Sequence, residues 1–145
     1  MEALYAKVLC PLDGSDVSNH SVNEAIKLAR DQHAQLYFLH VVDVGNTLLH
    51  LTVSDKILEF GRETGRNLLE HAASQASAAQ VAAQCALTEI SGGRVADKIL
   101  EQARQLDVDL IVMGIRGRHS NGAKAPGADA RAVMSDSQVP VLLVK

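Results

Sequence analysis

No apolar run in this chain approaches the roughly 20 residues that a helix needs to cross a bilayer, although apolar residues make up 47% of it. A membrane protein is therefore not expected. The opening residues, Met1 to Lys7, lack a basic stretch followed by an apolar one, so no secretion signal is read there. A basic excess is missing too. The formal net charge of −3 speaks against a nucleic-acid binder held by phosphate attraction. Cysteine is scarce, and both Cys10 and Cys85 fall inside apolar runs. They are expected as buried free thiols in a reducing compartment, the cytoplasm, rather than as a disulfide. Six histidines (20, 33, 40, 50, 71 and 119) are scattered without metal-like spacing, and no base–nucleophile pair stands out. His40, in an apolar stretch, reads as a satisfied core histidine. The 145 residues suit one domain, residues 1–145.

What is present is a regular alternation. Lys7 to Asp13 is a nearly continuous apolar run, as in a parallel strand covered on both faces. Pro11 lacks an N–H and should loosen the pairing at that strand's end. Val22, Ala25, Ile26 and Ala29 recur at helical spacing, predicting a helix over about 17–33. Ser15, Asp16, Ser18 and Ser21 all compete as its cap. Gln35 to Val42 is a second strand, and 43–54 reads as a loop. A long helix over about 55–80 has Ile57, Phe60, Gly61, Thr64, Leu68, Ala72 and Gln75/Ala76 on one face. Gly61 and Gly65 weaken it by about 1 kcal/mol each unless they allow close packing. A weaker strand over 81–90, a helix after Gly92-Gly93, and a last strand–helix–strand unit complete the chain. Strands alternating with helices predict an α/β fold, an open parallel sheet with helices on both faces and ligand sites at the strands' carboxyl ends.

The final unit carries the strongest chemical signal. Leu110 to Met113 is apolar and runs into Gly114-Ile115-Arg116-Gly117; a polar loop over 118–126 leads to Gly127-Ala128-Asp129 and a small-residue helix. Glycines admit an anion close to the backbone, and a helix N-terminus offers unpaired N–H groups. The spacing G-x2-G-x9-G is neither the Lys-bearing phosphate loop nor the dinucleotide G-x-G-x-x-G. Arg116, Arg118, His119 and Lys124 place basic groups in the same loop, which also reads as a plainly solvated segment.

Val8 to Ser15, Leu39 to Val42, Gly93 through Gly114, and Val139 to Val144 together resemble the universal stress protein family. The x9-spaced glycines are similar to those of its ATP-binding branch. The resemblance implies a five-stranded sheet of order 3-2-1-4-5 and a homodimer pairing the last strand, Val141 to Val144, which agrees with a bare apolar edge. It also implies a nucleotide site. Pro11, Leu12, Asp13 and Val41 would meet adenine and ribose. Gly114, Arg116, Gly117, Gly127 and Ala128 would meet the phosphates of ATP, with Met113, Arg118 and Asp129 also in the nucleotide site and Mg2+ as a companion. Asp13 also reads as a turn-former, and Val41 as plain core. Two departures stand out: Ala128 replaces a Ser or Thr, removing a phosphate donor, and Asp129 replaces a small apolar residue. A carboxylate about 5 Å from a phosphate costs about 3 kcal/mol at an effective dielectric of about 20. A divalent ion bridging the two would reverse that sign. Three functions follow: a nucleotide-binding stress regulator, a dimeric scaffold of the same fold without a ligand, and a slow nucleotide hydrolase or transferase.

Overall fold

The computed structural model describes residues 4–44, 55–117 and 125–145. Strands and helices alternate as β1 (Lys7–Pro11), α1 (Asp16–Gln32), β2 (Gln35–Asp43), α2 (Asp55–Ala78), β3 (Ala83–Ile90), α3 (Val95–Leu106), β4 (Leu110–Gly114), α4 (Ala128–Asp136) and β5 (Val141–Val144). The strands pair in parallel in the order β3-β2-β1-β4-β5, the expected 3-2-1-4-5 arrangement. The chain therefore reverses its direction of sheet growth between β1 and β4, which is where such folds open a crevice.

Pro11 widens that crevice. β1 stays in register with β2 through Pro11 opposite Leu39, but its ladder with β4 stops at Leu9 opposite Ile111. The Leu12 N–H still reaches Leu39 O at 2.8 Å. Successive amides in a strand point to opposite sides, so the N–H that proline lacks is the one that would face β4.

Two apolar clusters sandwich the sheet. Val8, Cys10, Leu36 and Phe38 pack with Val22, Ala25, Ile26 and Ala29 of α1 and with Leu69, Ala72 and Ala76 of α2. Leu9, Leu39, Ile111 and Met113 point the other way, onto Ile99 and Ala103 of α3 and Ala130 and Val133 of α4. Neighbouring strand residues serve opposite faces, which is why these strands read as unbroken apolar runs.

Several local expectations need correction. The strand expected to reach Asp13 ends at Pro11, and α2 ends at Ala78 because Gln80 turns left-handed at φ 60° and Val81 N–H caps back to Ala76 O. The anticipated face of α2 holds in its C-terminal half, at Leu68, Ala72 and Ala76, but not at its start. Gly65, Leu69, Ala72 and Ala76 are its buried positions, while Ile57 and Phe60 are 65% and 72% exposed. Those two residues stand on the wall of the cleft described below, rather than on the packed core. Cys10 is buried as expected, but Cys85 is exposed on the edge strand β3. Ser15 is the cap of α1, its hydroxyl accepting from Ser18 N at 3.0 Å. Gly65 earns its place by contact: a Cβ there would sit 2.6 Å from His40 Cδ2 and 2.7 Å from Leu87 Cδ1. The 43–54 loop is described only to Val44, and His50 lies outside the described residues.

Candidate functional site

The exit of β1 is fixed by bonds from both neighbours. His40 Nδ1 lies 2.8 Å from Leu12 O. A carbonyl can only accept, so Nδ1 carries the proton and His40 is satisfied as expected, but it is half-buried and lines the cleft described below rather than the core. The Asp13 amide donates to Ser18 Oγ at 3.1 Å, and Asp13 Oδ1 accepts from Ser15 N at 2.9 Å. Gly14, at φ 85°, makes the bend that permits this turn. One carboxylate oxygen of Asp13 therefore shapes the turn, as its turn-forming role predicts. The other faces the chain that leaves β4, because a Cβ on Gly117 would sit 2.7 Å from Asp13 Oδ2.

The three glycines meet. Gly127 N–H donates to Ile115 O at 2.8 Å. A Cβ on Gly127 would lie 3.5 Å from Arg116 Cα and 3.6 Å from Gly117 N. One on Gly114 would lie 2.8 Å from Val17 Cγ1, at the start of α1. Positive φ occurs at Gly14, Gly92 and Gly93 but at none of these three, so what glycine supplies at Gly114 and Gly117 is space, while a Cβ on Gly127 would make only ordinary contacts. The x9 spacing thus closes a loop whose two ends are in backbone contact. Gly127 is the N-cap of α4 and gives it no side-chain cap. The first intrahelical bond there runs from Arg131 N to Gly127 O at 2.9 Å, so the amides before it have no partner within the helix.

These features open into one cleft of about 1400 Å³. Pro11, Leu12, Asp13, Val41, Met113, Gly114, Arg116, Gly117, Gly127, Ala128 and Asp129 all line it, so the sequence-predicted residues within the described segments share one wall-to-wall space. Val41 both lines the cleft and packs on the α3/α4 cluster, combining its two expected roles. Arg118, His119 and Lys124 lie outside the described residues.

The sequence reading missed the far walls. Phe60 and Thr64 enter from α2, and Arg94 and Arg131 from the α3 and α4 side. Gly92-Gly93 was the one signal for Arg94, since both take positive φ and deliver the chain into α3. Arg94 bonds Asp97 at 2.6 Å and Asp136 at 3.2 Å, clasping α3 to α4 at the rim. These carboxylates push the guanidinium up from its ordinary range, and Arg94 in turn holds the Asp97 carboxyl below the usual one. Among the described residues no three His, Cys, Asp or Glu side chains gather to hold a metal. The arrangement can accept an anion over the glycine turn while a flat apolar group lies beside Pro11, Leu12 and Val41.

Comparison with known proteins agrees with this fold. The universal stress protein family model matches residues 4–145. A universal stress protein of Methanocaldococcus jannaschii is 34% identical over 147 residues, spanning 99% of this chain and 84% of the relative. A solved structure from the universal stress protein family of Burkholderia pseudomallei superposes with a TM-score of 0.79 at 30% identity, covering 99% of this chain and 98% of that one. The universal stress protein of Archaeoglobus fulgidus in complex with dAMP shares the fold at a TM-score of 0.72 and 24% identity, covering 98% of this chain and 99% of that one.

Proposed function

This chain belongs to the universal stress protein family, and from that premise we propose that it is a cytoplasmic stress-response regulator that binds an adenine nucleotide, ATP with Mg2+, in its cleft. The observation that carries the reading is the meeting of Gly114, Gly117 and Gly127 beside the Asp13 carboxylate. Adenine would lie against Pro11, Leu12 and Val41, with Asp13 accepting from the ribose hydroxyls. The phosphates would lie over Gly114, Arg116 and Gly117 and before the first turn of α4, at Gly127 and Ala128. There the partial positive charge of the helix N-terminus suits an anion. Gly114 and Gly117 fit such a group because a Cβ at either would press on Val17 or on Asp13. A Mg2+ ion arriving with the phosphates would be met by Asp129 and would offset its repulsion. The dAMP complex of a relative with this fold supports the same class of ligand. The role is binding and signalling rather than turnover, and the bare β5 edge is the surface on which two copies would pair.

Calorimetry with ATP and Mg2+ tests the reading; binding in the micromolar range is expected, and no heat up to millimolar ligand would contradict it. A second reading, a scaffold of the same fold without a nucleotide, is favoured by Ala128 and Asp129, both exposed in the cleft. The double change Ala128→Ser with Asp129→Val separates the two. It should tighten binding if the departures weaken an existing site, and leave a ligand-free scaffold unaffected.

A further inference from the structure

Ala128 removes a hydroxyl that a phosphate could have used, and the cleft wall offers a replacement one turn further along α4. Arg131 lines the cleft, three residues after Ala128 and so on the same side of the helix. Helical side chains lean toward the N-terminus of their helix, which carries a long Arg131 side chain back over the first turn. Asp136, on the same helix, bonds Arg94 at 3.2 Å, and Arg94 also holds Asp97. Among the described residues the Arg131 guanidinium has no hydrogen bond or ion pair.

We infer that Arg131 is the specificity-determining cation of this cleft: it meets the outer phosphates of a nucleoside di- or triphosphate and makes the chain prefer these to the monophosphate. The inference rests on the nucleotide reading of the site. A guanidinium offers paired donors to phosphate oxygens, and a long side chain reaching from α4 contacts a tail that a monophosphate does not have.

The test is a titration of the parent, Arg131→Gln and Arg131→Lys with adenosine, AMP, ADP and ATP, at low and at high salt. Circular dichroism melts would confirm that each variant folds. Arg131→Gln should lose about tenfold in affinity for ATP and ADP and less than twofold for AMP and adenosine. Arg131→Lys should recover most of the loss, and the gap should narrow at high salt, because exposed charges are screened. Equal losses for all four ligands would show a structural role and overturn the inference, as would unchanged ATP affinity. Binding of none of the four by the parent would instead withdraw the nucleotide site, and this inference with it.

Discussion

At the scale of single residues, the cleft depends on where glycine is required for room. In Gly117→Ala the added methyl would meet Asp13 Oδ2 at 2.7 Å, the far end of a side chain that can swing away. The swing also breaks the bond from Ser15 N to Asp13, so stability should fall by about 1 kcal/mol, while nucleotide affinity should fall about tenfold, because Asp13 is taken out of place. A urea melt and a ligand titration on the same sample measure both. Gly65→Ala should behave differently. Its methyl would strike His40, which is bonded to Leu12 O, and Leu87 on β3 at the same time. Overpacking should outweigh the helix-propensity gain of about 1 kcal/mol and destabilise the fold by about 1–2 kcal/mol. A stabilised Gly65→Ala protein would contradict this packing. The cysteines separate in the same way. Burial pushes the Cys10 thiol up to about 12 from its ordinary 9.0, despite the lowering effect of Ser21. Between those values the unfolded chain gives up a proton that the native state keeps, so the contribution is complete below pH 9 and is lost as pH rises toward 12. At pH 10.5 the Cys10 share of the loss should be about 2 kcal/mol, read as the amount by which the parent loses more stability than Cys10→Ala in urea melts, since Cys85, also pushed up by burial, contributes equally to both. At neutral pH a thiol reagent should label Cys85 in the folded protein and Cys10 only after unfolding.

At the scale of elements, the legible features were those written as local pattern. The apolar runs of β1 and β4 and the i, i+3, i+4, i+7 spacing of Val22, Ala25, Ile26 and Ala29 name their elements because strand and helix periods differ. The x9 glycine spacing marked the loop whose ends meet at Ile115 and Gly127. What stayed hidden depends on tertiary placement. Ile57 and Phe60 look like core on a helical wheel, but their half of α2 stands on the cleft wall, so exposure follows position and not period. Arg94, just before α3, and Arg131 on α4 reach the cleft, the first hinted at only by the Gly92-Gly93 turn and the second by nothing local. Cys85 sits in an apolar run that turns out to be the edge strand β3. The opposite edge supports a prediction of its own. Leu142 is 40% exposed on β5, and Leu142→Lys should convert the proposed dimer to monomer in sedimentation. A persistent dimer would place the interface elsewhere.

At the scale of the whole molecule, β1, β2, β4 and α4 all deliver residues to one opening, so a ligand there ties together elements from both halves of the sheet. Binding only to the native state stabilises by about 2.7 kcal/mol at a hundredfold excess over Kd, which for a chain of this size raises Tm by about 5–10 °C. The most direct test of the central claim is a titration of ATP and Mg2+ into uniformly 15N-labelled protein, followed amide by amide. The predicted result is that Gly114, Gly117, Gly127 and Ala128 shift most, together with Asp13 and Val41, while the β3 edge stays still. No shifts up to millimolar ATP, or shifts confined to residues away from the three glycines, would contradict it.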